Sequence, residues 1–226
     1  DEIPVTTGST AWANDNKTVF FARKNDVTLR SERIFKHILG TETDNDKEVF
    51  FEEDETFSAY VYKSKSEKYM IIASQSTTSS EYRFLDAANP DGEFTVFQPR
   101  EEDHEYFITH RGNKFLIKTN WEARNFRLME TPENETGKDS WKEVIPHREN
   151  VLLEGIEPFT DFIVIEERKD GLSQFRVMNT KQNTEHYIDF GEATYTAWIS
   201  TNPEMNTKTL RYGYSSLTTP ESIYDY

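Results

Sequence analysis

The stretch TAWANDNKTVFFARKNDVTLRSERIFKHILGTETDNDKEVFFE, residues 10–52, holds four short runs of β-branched and aromatic residues separated by turn signals. Residues 10–15, 18–23, 33–39 and 48–52 read as strands, because such side chains suit a pleated, half-buried surface. Asn25-Asp26 and Asp44-Asn45-Asp46 supply turns between them. The pattern then returns at a nearly fixed interval: Trp12 to Tyr60 is 48 residues, Tyr60 to Tyr106 is 46, Tyr106 to Leu153 is 47 and Leu153 to Trp198 is 45. A repeat of that length filled with about four strands defines a β-propeller blade.

A second unit reads as strands at 57–63, 69–74, 81–86 and 94–98, with Asn89-Pro90-Asp91-Gly92 as the turn before the last. The third has strands at 104–110, 114–119, 126–130 and 141–145, and a polar loop at 133–140. The fourth has strands at 152–158, 162–167, 174–179 and 185–189, with Lys169-Asp170-Gly171 as a hairpin turn. A fifth begins at 195–200 and 209–214, and its third strand is forming at 222–226. Blades are therefore expected at about 8–54, 55–101, 102–149 and 150–191, with an incomplete one at 192–226, in a single all-β partial propeller. Second strands such as Val19-Phe20-Phe21, Met70-Ile71-Ile72-Ala73, Phe115-Leu116-Ile117 and Phe162-Ile163-Val164-Ile165 are continuously apolar, which predicts burial on both faces. Helices should be few, with no more than a turn at 122–125.

The 226 residues carry 26 Lys+Arg against 41 Asp+Glu, a net charge of -15, which argues against nucleic acid or an anionic membrane as partner. No apolar run reaches the roughly 18 residues of a membrane span, and no signal peptide opens the chain. With no Cys there is no disulfide or thiolate chemistry, which suits a reducing, cytoplasmic setting. The chain does not begin with Met and stops inside a unit, so it is expected to be part of a longer protein with an unpaired blade edge open to self-association.

Few side chains suggest chemistry. His104 and His110 have even spacing on one expected strand, but no further ligand completes a metal pattern, and His37, His147 and His186 read as non-ligands at rim positions. Residues 42–46 alternate carboxylates as a calcium loop does, yet lack its glycine and its bidentate Glu, and read as a turn. The runs Glu52-Glu53-Asp54-Glu55 and Arg100-Glu101-Glu102-Asp103 join successive blades, as solvated loops or as an acidic rim that attracts basic peptides. No Gly-x-Ser-x-Gly elbow is present; Tyr212-Gly213-Tyr214-Ser215-Ser216 comes nearest and lies on a strand. No catalytic residue, cofactor or metal is expected within the chain.

Several segments are specific enough to carry a family resemblance. Ala11-Trp12-Ala13-Asn14-Asp15-Asn16-Lys17-Thr18-Val19-Phe20-Phe21, Thr28-Leu29-Arg30, Glu102-Asp103-His104-Glu105-Tyr106, Thr119-Asn120 with Asn125-Phe126, the run from Arg148 to Gly155, and that from Leu210 to Pro220 occur in order through nearly the entire chain. Together they resemble the oligopeptidase B (protease II) branch of the prolyl oligopeptidase family of serine peptidases. The resemblance implies a seven-bladed propeller that caps an α/β-hydrolase domain and admits only short peptides, cleaved after Arg or Lys. It places the catalytic residues outside this chain, so the chain alone should be inert. The implied partners are that catalytic domain and short basic peptides, and Thr7, Phe57, Gln75, Thr77 and Arg124 are candidates for the substrate tunnel and its rim. The alternative reading is a freestanding propeller that binds a protein partner.

Overall fold

The computed structural model describes residues 3–226, in which nineteen strands form five antiparallel sheets, each sheet built from strands consecutive in sequence. The first contains β1 (Thr6–Trp12), β2 (Thr18–Lys24), β3 (Ser31–Ile38) and β4 (Lys47–Phe51). The second contains β5 (Ser58–Lys63), β6 (Tyr69–Gln75), β7 (Ser80–Asp86) and β8 (Thr95–Gln98). β9 (Tyr106–Arg111), β10 (Lys114–Thr119), β11 (Arg127–Pro132) and β12 (Lys142–Ile145) make the third, and β13 (Leu152–Pro158), β14 (Phe162–Lys169), β15 (Leu172–Asn179) and β16 (Thr184–Tyr187) the fourth. The last sheet has three strands, β17 (Tyr195–Ile199), β18 (Arg211–Ser216) and β19 (Ser222–Asp225). This is the bladed, all-β architecture that the repeat predicts.

The chain divides into two compact units, Asp1–Phe107 with Thr136–Asp139, and Ile108–Glu135 with Ser140–Tyr226. In the first unit, Phe20, Ala22 and Ile34 of the first sheet pack with Ala59, Val61, Met70 and Ile72 of the second in one buried cluster. Successive side chains on a strand face opposite ways, so Phe21 and Ile71 leave that cluster, yet they are as fully buried as their neighbours. Phe21 stacks on Phe35 with ring centroids 5.9 Å apart.

The second unit shows the same principle within one strand. Ile163 and Ile165 join Leu116, Leu128, Ile145 and Leu153 in a core shared with the third sheet. Val164 lies between them in sequence and enters a different core with Phe159, Phe175, Val177, Ala197 and Tyr214. Burial on both faces is the physical reason why the apolar run in β14 is unbroken. At its end Lys169 pairs with Leu172 across Asp170 and Gly171, whose φ values of 51° and 83° are those of a type I′ hairpin turn.

Departures from the sequence reading are local. Residues 43–45 and 138–140 form short 3₁₀ turns. His104 precedes β9 rather than sharing its face with His110, and both imidazoles are buried. His37 is also buried rather than at a rim, with its Nδ1 2.6 Å from Asp46 Oδ1. The carboxylate of Asp46, in the run that resembled a calcium loop, therefore lies inside the fold, with Arg23 Nη2 3.6 Å from its second oxygen.

Candidate functional site

Because neighbouring strands are antiparallel, the connection from second to third strand of each sheet lies at the end where its first strand starts. All five candidate residues belong to this end of their own sheets. Thr7 is the second residue of β1, Phe57 precedes β5, Gln75 closes β6, Thr77 follows it, and Arg124 lies between β10 and β11. The first four fall in the first unit and Arg124 in the second. Thr77 and Arg124 are exposed; Thr7 is half-buried, its hydroxyl accepting the Ser9 N–H at 3.1 Å. Gln75 Nε2 donates to Tyr82 Oη at 2.8 Å, and burial pushes that phenol well above its ordinary titration range. Phe57 is buried, with the Arg100 guanidinium 4.0 Å above its ring.

The group that organises this end of the first unit was not among the candidates. Glu52, from the connection that leads into β5, is 3% exposed. It receives Arg100 Nη1 at 3.2 Å and Nη2 at 2.6 Å, the Ser74 hydroxyl, and the backbone N–H of Asp54 at 3.1 Å. Arg100 also donates its backbone N–H to Glu81 Oε2 at 3.0 Å, and Arg83 Nη1 lies 2.7 Å from the other Glu81 oxygen. Burial raises the pKa of Glu52, but the bonds from Arg100, Ser74 and Asp54 outweigh it and hold the carboxyl below its usual range.

A second arginine braces the same connection. Arg30 Nη2 pairs with Glu32 at 2.8 Å, while Nη1 donates to the carbonyls of Phe57 at 2.8 Å and Asp54 at 3.1 Å. At the start of the third strand, Ser31 Oγ donates to Ala59 O at 2.6 Å and Ser80 Oγ to Tyr106 O at 2.7 Å. Two of the Ser-Glu dipeptides, Ser31-Glu32 and Ser80-Glu81, thus repeat one device: the hydroxyl ties a third strand to the first strand that follows, and the carboxylate holds an arginine. The acidic runs read as solvated or rim-forming are in part internal struts. Glu52 and Arg100, which belong to the two successive runs, lie 48 residues apart.

In the second unit Glu167 is fully buried and is held by Arg148, by Arg176 Nη2 at 2.5 Å and by Tyr187 Oη at 2.8 Å. Glu192 accepts four hydroxyl bonds, described below. None of these arrangements brings together a nucleophile and a base: Ser74, the buried hydroxyl of the network, donates to a carboxylate already neutralised by Arg100. What they provide is hydrogen-bonded bracing of connections at one end of the sheets concerned.

Packed antiparallel sheets, mostly of four strands, with loop ends held by buried ion pairs, define a bladed, propeller-type scaffold. Comparison places it more narrowly. The family model described as "Prolyl oligopeptidase, N-terminal beta-propeller domain" matches residues 1–226, and the chain belongs to that peptidase family. Dipeptidyl aminopeptidase BI from Pseudoxanthomonas mexicana is 39% identical over 215 residues, which are 95% of this chain and 30% of that protein. Protease 2 from Moraxella lacunata is 29% identical over 217 residues, covering 96% of this chain and 31% of the relative. Among solved structures, oligopeptidase B from Trypanosoma brucei with covalently bound antipain, in its closed form, superposes with a TM-score of 0.92 at 27% identity, covering 100% of this chain and 33% of that one. The chain thus spans about a third of the length of the relatives it matches.

Proposed function

We propose that residues 1–226 are part of the substrate-gating propeller of a serine oligopeptidase that hydrolyses short peptides after Arg or Lys, its chemistry carried by an α/β-hydrolase domain outside this chain. The observation that carries this reading is the superposition of the whole chain on one third of an oligopeptidase B. The propeller's contribution is exclusion and orientation: a substrate confined beside the catalytic group reacts as if at high effective concentration. The net charge of -15 supports a cationic substrate, since a negative field raises the local concentration of basic peptides.

The 39% identity to a protein named dipeptidyl aminopeptidase favours a second reading, an enzyme that releases dipeptides from free N-termini. A panel of peptide amides separates the two when offered to the full-length protein. Under the first reading, N-blocked Arg and Lys amides are hydrolysed with kcat/KM ~10²-fold or more above Leu or Ala amides. Under the second, blocking the N-terminus abolishes turnover. A folded full-length protein that hydrolyses none of the panel would overturn both.

A further inference from the structure

Among the described residues, the three most exposed large apolar side chains are Leu217 at 95%, Val27 at 89% and Leu29 at 68%. All three lie in connections between the second and third strands of their sheets, Val27 and Leu29 between β2 and β3, and Leu217 between β18 and β19. Scattered exposed leucines need no explanation, but restriction of the extreme cases to one kind of connection does.

Both connections are braced. Glu192 Oε1 accepts the hydroxyls of Tyr214 at 3.0 Å, Ser216 at 3.0 Å and Thr219 at 3.1 Å, and Oε2 accepts that of Thr218 at 2.9 Å. Ser216 Oγ in turn receives the N–H groups of Thr218 and Thr219, and the Ser216 N–H closes the turn on Thr219 O at 2.9 Å. Leu217 sits at the tip, held from both sides and touching almost nothing. In the first unit, Asn25 Oδ1 accepts the Val27 and Thr28 N–H groups at 2.9 Å each, and Arg30 anchors the other flank through its fork to Glu32 and Phe57 O. Leu29 is held at φ 59°, a left-handed conformation that is unfavourable for an ordinary residue and persists only where its surroundings enforce it.

A stiff turn that carries one apolar side chain outward has already lost the conformational entropy that docking would otherwise consume. Its shape is convex, so it fits a pocket on a folded partner; a short peptide, itself bound in clefts, offers no such pocket. From these observations we infer that Leu217, and separately the Val27–Leu29 pair, are preformed anchors that seat in apolar pockets of the peptidase portion of the same polypeptide. The inference rests on the proposed function, and the relatives, which carry the greater part of their length outside the matched region, leave room for that partner. Glu192 acts as a positioning residue.

The test uses the full-length protein with Leu217→Asp, Glu192→Gln and Val27→Asp. Since Leu217 and Val27 are exposed, folding of the two aspartate variants should be retained, and circular dichroism checks this for all three. Leu217→Asp and Val27→Asp are each expected to raise amide exchange in a segment of the peptidase portion and to lower kcat/KM on a short peptide amide about tenfold, as loss of an interface anchor does. Glu192→Gln is expected to lower it less, with faster exchange at 216–219. Unchanged exchange and kinetics in both aspartate variants would overturn the inference, as would a wild-type dimer that Leu217→Asp converts to monomer. A full-length protein without peptidase activity would remove the proposed function, while the exchange data would still decide the docking.

Discussion

Replacing Arg100 by Ala is expected to destabilise the first unit by about 3–5 kcal/mol, the cost of leaving a buried carboxylate without its counter-charge. The Glu52 side chain is 4% exposed and the Arg100 side chain 28%, so water reaches only one partner and cannot solvate the orphaned charge. The same change removes the guanidinium from the Phe57 ring. The double variant Glu52→Gln with Arg100→Gln should lose less than the sum of the single changes, because the neutral pair carries no desolvated charge. A double-mutant cycle from urea unfolding measures that coupling.

The effect has a pH signature. The folded-state pKa of Glu52 lies below its ordinary value. Its contribution to stability is therefore fully present above the unfolded value, roughly 4.3, and is lost as pH falls through the folded one. The difference between wild type and Arg100→Ala should be largest near neutrality and shrink as pH falls, starting above the ordinary carboxylate value, because burial without a counter-charge raises the pKa of the orphaned Glu52, and ending at the depressed wild-type value. A difference that stays constant from pH 7 to pH 3.5 would show that Arg100 acts through packing alone.

Phe175→Ala is expected to cost about 3–5 kcal/mol, in the range for emptying a filled aromatic site in a core. Phe175 is 0% exposed, with Phe190 and Tyr212 edge-on at 5.4 Å and 5.9 Å. In the outer strand β16 every residue is exposed, and Thr184→Ala should change stability by no more than ~0.5 kcal/mol. Urea midpoints of the two variants give the comparison, and similar losses at both positions would contradict the picture of cores confined between sheets.

That contrast was legible before the fold was known. The run Phe162-Ile163-Val164-Ile165 has no polar face, and only a strand covered on both sides tolerates that in water. Asp170-Gly171 announced its turn because both residues accept positive φ. The ion pairs were harder to foresee. Glu52 and Glu53 look alike in sequence, yet only Glu52 meets an arginine from the next connection and becomes buried. Burial of a charge depends on a partner 48 residues away, and no local pattern records it. His104 shows the same limit, since even spacing predicts a shared face only if the strand reaches both residues, and β9 begins at Tyr106. The exposed anchors escaped for the opposite reason: an apolar residue in a turn looks like core until the fold leaves it outside.

The claim that this propeller screens substrates by size is tested most directly by the length dependence of cleavage in the full-length protein. A short basic peptide and the same cleavage site within a long unstructured polypeptide present identical bonds to the catalytic groups, so a difference in kcat/KM reports access alone. Rapid hydrolysis of the short peptide with the long polypeptide left intact is the predicted result. Equal kcat/KM for the two would contradict it.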